Sequence, residues 1–158
     1  MNSILPWQFV PRAGSGVGAM KSEHEPVTDD EFVLRLVWGD YYKAGLPLPV
    51  QPAAFQPRDA EVEGISVFRE ACLPSPEDIL CVIAPQKRSR YQLARLRVSE
   101  LTKLGLSVRP DPIDSVPGHA VIPEVNAVAY AADRLASKLL QKQLADLASR
   151  QVIRKTDD

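Results

Sequence analysis

The sequence predicts an α+β domain that has a small mixed or antiparallel sheet, short helices and a long C-terminal amphipathic helix. In the middle of the chain, short runs of β-branched and aromatic residues alternate with prolines and glycines, which is typical of short strands joined by loops. After Pro123 the chain has neither proline nor glycine and is rich in good helix formers. We therefore divide the chain into a flexible tail over 1–27, a domain over 28–126, and a C-terminal helix with a short tail over 127–158.

The predicted domain begins with a strand over residues 32–38. The preceding tail contains the glycine-rich run GSGVG, which favours a flexible chain. Thr28 and Glu31 have the spacing of a helix capping box, so a short helix is the alternative for this segment. The residues after Glu31 are β-branched and aromatic, and we prefer a strand in which Arg35 lies between buried neighbours.

Three further runs predict strands, and two short helices are predicted between them. A loop over 44–58 contains five prolines and glycines, which exclude a long regular element there. Ser75 is followed by proline and two acids and predicts a helix start, and Ser99 caps a second helix that stops at Gly105. The three further strands are predicted over 65–69, 91–98 and 119–122.

The C-terminal helix is predicted to run from residue 125 to residue 153 without a break. Apolar residues recur there at steps of three and four, so the helix has one apolar stripe. We expect the alanines of its first half to pack on the sheet, and its second half to project and pair with another chain. The stripe comprises Leu135, Leu139, Leu140, Leu144, Leu147 and Val152.

Charge is unevenly distributed along the chain, although the net charge is only −1. Between Glu23 and Glu63 there are nine acidic and three basic residues, and between Lys87 and Arg109 there are seven basic residues and one acid. Such a split favours docking to a charged partner, or contact between the two regions. The small net charge excludes a polyanion and a basic coat for nucleic acid.

The cysteine and hydropathy patterns predict a cytoplasmic protein that has no metal site and no resident cofactor. Cys72 and Cys81 are the only cysteines, and they form neither a disulfide framework nor a zinc-ligand pattern. No apolar run approaches the length that spans a bilayer. The apolar part of the first residues is too short for a signal peptide and has no basic leader.

Three polar side chains in the predicted strands are candidates for a site. His119 lies at a loop–strand junction, where it is either a general base or a histidine hydrogen-bonded to loop carbonyls. Arg35 and Arg69 either bind phosphate or carboxylate groups or form structural ion pairs with acidic side chains.

A basic stretch over residues 87–97 contains a further candidate surface. The alternation of a strand places Tyr91, Arg95 and Arg97 on one face. A basic face with an aromatic ring can hold single-stranded nucleic acid by charge and stacking. A solvated or protein-facing patch is the alternative.

Several strings in the sequence resemble small uncharacterised bacterial proteins for which no activity is known. The resemblance covers about residues 31–124 and consists of FVLRLV, AFQP, GISVFR and GLSV…DP…PGHAVIPE. It implies a bacterial protein but no catalytic residue.

A weaker similarity is to the ADP-ribosyltransferase superfamily. Its members place an Arg or His on a first strand, a Ser-containing strand next, and a Glu later. The similarity implies these parts for Arg35, Ser66 and Glu124, with a nucleotide or NAD as substrate. The chain departs from the superfamily because Ser66 lacks the flanking Ser-Thr-Ser and Glu124 does not stand in a Glu-x-Glu.

The absence of a catalytic motif favours a non-enzymatic protein–protein interaction module, a subunit of a larger bacterial assembly. The first alternative is a nucleotide- or NAD-utilising transferase of ADP-ribosyltransferase-like type that uses Arg35, Ser66, His119 and Glu124. The second is nucleic-acid binding through residues 87–97. For the module, we expect a protein partner or self-association through Arg69, Arg95, Arg97, Leu139, Leu140, Leu144 and Leu147.

Overall fold

The computed structural model describes residues 20–154, whose centre is a sheet of six strands. All strand pairings are antiparallel. The α+β class and the sheet predicted from the sequence are therefore confirmed. The strands are β1 (Phe32–Trp38), β2 (Ile65–Arg69), β3 (Tyr91–Arg97), β4 (Arg109–Pro110), β5 (His119–Ile122) and β6 (Val152–Arg154), in the spatial order β4-β5-β2-β1-β3-β6.

The helical segments are short except for one near the C terminus. The α-helices are α1 (Val98–Lys103), α2 (Ala127–Ala132) and α3 (Arg134–Ser149). Single turns or short runs of 3-10 helix occupy Gly39–Tyr41, Pro52–Phe55, Glu70–Cys72, Pro76–Val82 and Pro85–Arg90. The helix predicted to start at Ser75 begins there, and the amide of Ser75 donates to the Asp78 carboxylate (3.2 Å), but the helix is of the 3-10 type.

The unbroken C-terminal helix of the sequence prediction is wrong at an internal position in its first half and at its C-terminal end. Asp133 interrupts it, because this residue leaves helical geometry and its side chain accepts a hydrogen bond from the amide of Ala136 (3.1 Å). A short acidic side chain at that position begins a new helix rather than continuing the old one. At the other end, Val152 belongs to β6, which pairs with β3.

The second half of the C-terminal region packs on the sheet, whereas the sequence predicted this for the first half. Helix α2 has no buried residue, so its alanines do not pack on the sheet. In α3, Leu144, Ala145 and Ala148 are buried with Phe55 in the main core. The reason is connectivity: β6 follows α3 almost directly, so the last turns of α3 must lie against the sheet.

The two faces of the sheet are covered differently. One face packs against α1, α3 and the turn Pro52–Phe55, and this side holds the larger apolar core. On the other face, Leu34, Phe68 and Leu93 are covered by irregular segments that contribute Leu73, Ile79 and Val116. Loops are easier to rearrange than helices, so an open site fits the second face better.

Residues 20–27 are tied to the domain, which corrects the prediction of a flexible tail for this part of 1–27. The amide of Lys21 donates to the carbonyl of Ala71 (2.9 Å). The fully buried guanidinium of Arg69 donates to the carbonyl of Glu25 (2.7 Å). The rest of the predicted tail, residues 1–19, lies outside the described residues.

Arg69 and Glu31 form a buried ion pair between β2 and the residue before β1. Two parallel hydrogen bonds join them, Nε to Oε1 (3.0 Å) and Nη2 to Oε2 (2.9 Å). Burial raises the pKa of Glu31, but the hydrogen bonds from Arg69, Thr28 and Lys21 outweigh it and hold the pKa below its usual value. The capping-box contact between Glu31 and Thr28 is present, but the chain continues as a strand.

The strands β1 and β2 separate along their length. Their ladder contains only the pairs Val33–Arg69 and Leu34–Phe68. Beyond Leu34, β1 stays paired with β3 as far as Trp38, whereas β2 stays paired with β5 as far as Ile65. The sheet therefore opens between its two central strands.

In the described part of the chain, no helix has the length and apolar character needed to cross a membrane.

Replacing Glu31 by glutamine leaves Arg69 charged, buried and without its anionic partner, so Glu31→Gln should destabilise the protein by about 3 kcal/mol at pH 7. Because the pKa of Glu31 is lowered by folding, its contribution is complete above its ordinary pKa of 4.5 and is lost as the pH falls further. Urea denaturation of both proteins at pH 7 and near pH 3 measures this. Glu124→Gln, at an exposed carboxylate, is the matched control and should cost less than about 1 kcal/mol; equal losses would contradict the assignment.

Candidate functional site

A cleft of about 800 Å³ opens at the end of the sheet where β1 and β2 separate. Its floor is formed by the second face of the sheet, and its walls by the segment after Pro52–Phe55 and by the 3-10 helices that precede β3. The polar and aromatic residues that line it are Arg35, Trp38, Tyr41, Gln56, Arg58, Asp59, Glu61, Ser66, Phe68, Lys87, Tyr91 and His119.

Arg35 lies in the opening between the two strands. Its Nε and Nη2 donate to the carbonyl of Ala54 (3.0 and 2.8 Å), and its Nη1 donates to the carbonyl of Ser66 (2.7 Å). The guanidinium thus takes over a strand carbonyl that lies beyond the end of the β1–β2 ladder. Burial lowers the pKa of Arg35 to about 10, partly offset by the charge of Glu61, so the group stays protonated at neutral pH.

No carboxylate of the described residues lies within 4 Å of the Arg35 guanidinium. Arg35 is only 9% exposed. Two of its five N–H groups remain after the three bonds to carbonyl oxygens. A buried cation without an ionic partner is costly. Arg35 therefore differs from Arg69, which has its partner within the fold.

Ser66 and His119 come together on the cleft floor. Ser66 lies on β2, and His119 begins the neighbouring strand β5, two residue pairs along the ladder from the pair that contains Ser66. The His119 Nε2 is 3.0 Å from the Ser66 Oγ, and the Nδ1 is 2.7 Å from the carbonyl oxygen of Asp111. The imidazole ring packs edge-on against Phe68, with centroids 5.3 Å apart. Both sequence interpretations of His119 are thus represented in one side chain.

Of the four residues predicted for an enzymatic site, the structure brings Arg35, Ser66 and His119 into one cleft and leaves Glu124 outside it. Glu124 lies beyond the opposite end of β5 from His119, and its carboxylate accepts hydrogen bonds from the amide and the hydroxyl of Ser107 (2.9 and 2.7 Å). Because β5 ends at Ile122, Glu124 already lies beyond the end of the strand that is opposite His119.

The acidic groups near the site are ones that the sequence interpretation did not select. Glu61 lines the cleft, and its Oε2 accepts a hydrogen bond from the amide of Ser66 (3.1 Å). Asp111 places its Oδ2 3.4 Å from the Nδ1 of His119. A sequence signal existed only for Glu61, since it lies a few residues before the strand that carries Ser66.

The basic stretch 87–97 does not form one continuous surface. Tyr91 and Lys87 line the cleft, whereas Arg97 pairs across the ladder with Phe32, at the opposite end of β1. Arg95 binds Glu70 (2.6 Å), and the guanidinium groups of Arg95 and Arg97 both lie over the Phe32 ring (5.0 Å). Six residues of strand separate Tyr91 from Arg97 by about 20 Å.

The acidic and basic regions of the sequence contact each other in the fold. Arg90 lies 3.4 Å from Asp40 and Arg109 lies 3.2 Å from Glu63. One of the two explanations for the charge split, mutual contact, is therefore present at the surface. These pairs are exposed, so each contributes little to stability.

The binding residues predicted on β2 and on the C-terminal helix need correction. Arg69 is fully buried in its pair with Glu31 and is not accessible to a partner. Leu144 is also fully buried, and Leu140 and Leu147 pack against the core. Only Leu139 of the four predicted leucines is exposed, because the helix face that was assigned to a partner covers the sheet. The exposed apolar residues in this region are Val128 (66%), Leu135 (74%) and Leu139 (59%).

Within residues 20–154, no three side chains of the metal-binding types histidine, cysteine, aspartate and glutamate cluster as an ion would require. Comparison with protein-family models, with curated proteins and with solved structures finds no match for this chain. The assignment of a function therefore depends on the geometry of the cleft itself.

Gly118, immediately before His119, holds the loop against β2. Its φ is +87°, a β-carbon there would lie 2.8 Å from the Cβ of Cys72, and the amide of Arg69 donates to its carbonyl (2.8 Å). Gly118→Ala should therefore destabilise the protein by about 2–3 kcal/mol. Gly45→Ala is the matched control, since Gly45 has a φ of +88° but open space around it. Urea denaturation compares them, and equal losses would show that contact at Gly118 has no effect.

Proposed function

We propose that this chain is an enzyme that binds a nucleotide in the cleft and transfers a group from it. The first nucleotide to consider is NAD. The activity is of ADP-ribosyltransferase-like type. The observation that carries the proposal is the convergence of Arg35, Ser66 and His119 where the two central strands separate. Three kinds of side chain in the cleft support the proposal: a buried cation, a group of aromatic rings and a carboxylate.

Arg35 is the proposed anchor for a phosphate group. Its guanidinium is buried, has no carboxylate within 4 Å among the described residues, and retains two N–H groups. A planar guanidinium matches two oxygens of a phosphate or carboxylate. An anionic ligand in the cleft would supply a counter-charge closer to the guanidinium than Glu61, which acts on it from a distance. Lys87 and Arg58, which also line the cleft, add positive charge for a second phosphate.

The aromatic residues at the mouth are the proposed contacts for a base or a pyridine ring. Trp38 and Tyr91 face each other across the β1–β3 ladder, with ring centroids 5.1 Å apart, and Tyr41 lines the same cleft. Aromatic faces hold planar rings by stacking with little regard to the identity of the base. The volume of about 800 Å³ lies within the usual range for sites of small ligands and cofactors.

Glu61 is the proposed acid of the site in place of Glu124. Its Oε1 accepts a hydrogen bond from the amide of Arg58 (2.9 Å) and its Oε2 accepts one from the amide of Ser66 (3.1 Å), and each oxygen keeps a second acceptor site for a hydroxyl group of a ribose. The similarity to the ADP-ribosyltransferase superfamily assigned this part to Glu124. Since Glu124 is bound to Ser107 outside the cleft, Glu61 is the acid that the geometry favours.

Removing a cleft cation should weaken the binding of NAD without affecting the fold. Lys87→Ala should raise the Kd for NAD about 5- to 10-fold, because an ammonium group near a phosphate contributes about 1 kcal/mol when it is partly exposed. Lys103→Ala, at an exposed lysine on α1 away from the cleft, is the matched control and should leave the Kd unchanged. Titration calorimetry measures the Kd, and chromatography measures the release of nicotinamide. A wild-type protein that neither binds NAD nor releases nicotinamide would refute the proposal.

The second candidate is a protein–protein interaction module that self-associates through the C-terminal region. The observation that favours it is the exposed apolar stripe of Leu135 and Leu139, about one turn apart on α3, together with exposed Val128 on the separate helix α2. Two copies of one stripe related by a two-fold axis would cover each other. In this proposal the contact lies in the first half of the helix, not on the buried leucines of the second half.

The double variant Leu135→Asp with Leu139→Asp should reduce a dimer to a monomer, because it places charges in the proposed contact. Both side chains are exposed, so the free energy of unfolding should change by less than about 0.5 kcal/mol. Light scattering gives the mass. Lys138→Asp, which adds a negative charge at an exposed residue of the same helix, is the control. A wild-type chain that is monomeric at all concentrations would exclude this candidate.

A further inference from the structure

The contact between Ser66 and His119 has chemical content beyond ligand binding. Ser66 is half-buried on the cleft floor, and His119 is 8% exposed, so both side chains are held by their surroundings while facing the cleft. The distance of 3.0 Å between Oγ and Nε2 is that of a hydrogen bond. A serine hydroxyl in contact with an imidazole is the arrangement in which a weak nucleophile becomes an effective one.

The neighbours of His119 settle the direction of this hydrogen bond. A backbone carbonyl can only accept, so the Nδ1 at 2.7 Å from the carbonyl oxygen of Asp111 must carry a proton. In the neutral ring, Nε2 is then unprotonated and accepts the hydroxyl proton of Ser66. The ring is therefore held in the tautomer that a general base requires, with its free lone pair directed at the Ser66 hydroxyl.

Asp111 also provides for the charged form of the ring. Its Oδ2 lies 3.4 Å from the His119 Nδ1, so a carboxylate stands beside the imidazolium that forms when His119 takes a proton. This carboxylate is half-exposed, and the Nδ1–H of the ring donates its shorter hydrogen bond to the backbone carbonyl of Asp111. Asp111 is thus a positioning residue. On the other side, the Arg35 guanidinium holds the Ser66 carbonyl and brings positive charge to the same cleft.

We propose that Ser66 is a covalent nucleophile, activated by His119, that accepts the transferred group before the final acceptor does. The identity of the group rests on the proposed function, whereas the activation of Ser66 rests on the hydrogen bonds alone.

With NAD, the bond between C1′ of the ribose and the nicotinamide nitrogen breaks, and its electron pair neutralises the pyridinium nitrogen. The Oγ–C1′ bond forms, and the Oγ proton passes to Nε2 of His119. In the second step a water or hydroxyl oxygen attacks C1′. The Oγ leaves and takes back the proton from Nε2, while the proton of the attacking group passes to His119 and then to solvent.

The first test needs no NAD. A fluorophosphonate probe forms an Oγ–P bond with an activated serine and releases fluoride, and peptide mapping by mass spectrometry locates the adduct. We expect labelling at Ser66 and none at Ser107, whose hydroxyl is bound to a carboxylate instead of an imidazole. His119→Gln should slow labelling at least about 100-fold. A folded wild-type protein that takes up no label at Ser66, or an unchanged rate in His119→Gln, would overturn the proposal.

The second test separates this proposal from the proposed function. Wild-type protein is mixed with NAD, quenched in acid and analysed for an ADP-ribosyl adduct on Ser66. An adduct that is absent in Ser66→Ala supports the nucleophile. Release of nicotinamide at the wild-type rate by Ser66→Ala would overturn the nucleophile and leave the proposed function standing. Labelling of Ser66 by the probe in a protein that does not bind NAD would refute the proposed function alone.

Discussion

The buried pair of Glu31 and Arg69 is the interaction on which the rest of the structure depends. It joins the start of β1 to the end of β2, and the same guanidinium holds the carbonyls of residues 23, 25 and 26. The amide of Arg69 also binds the carbonyl of Gly118, directly before His119. An ion pair that is removed from water is stable only when all the N–H groups of its cation donate hydrogen bonds. The fold therefore fixes this corner of the sheet, and with it the start of β5.

A second constraint follows, because the two central strands are joined at this corner and separate from there on. The only β1–β2 pairs lie next to Arg69, and beyond them the Arg35 guanidinium bonds the Ser66 carbonyl that a ladder would have used. A continuous ladder would have closed the floor of the cleft. The two arginines thus differ: Arg69 forms an ion pair where β1 and β2 are joined, whereas Arg35 lies where they separate, with no carboxylate within 4 Å among the described residues and only the more distant charge of Glu61.

Local patterns predicted much of the fold, and they failed where long-range contacts decide. The strands 32–38 and 119–122 were predicted at their observed bounds, since alternation and flanking prolines are local signals. The break at Asp133 was missed because helix formers surround it, and the packing of α3 was reversed because only the pairing of β6 reveals it. In the site, Arg35 and His119 were selected as polar residues in strands, whereas Ser66 was selected through the similarity to the ADP-ribosyltransferase superfamily. Glu61 and Asp111 lie in irregular chain, where sequence offers no periodicity to place a side chain.

The proposed function would explain two features of the cleft that stability does not require. Arg35 is buried although its charge has no carboxylate within 4 Å among the described residues, and apolar side chains of similar volume would cost less there. His119 is buried with its ring oriented by a backbone carbonyl, which leaves the opposite nitrogen for Ser66. Stability alone would need neither the charge nor the orientation. In the proposed site, the charge of Arg35 would bind an anion, and the orientation of His119 would let the neighbouring Ser66 hydroxyl lose its proton.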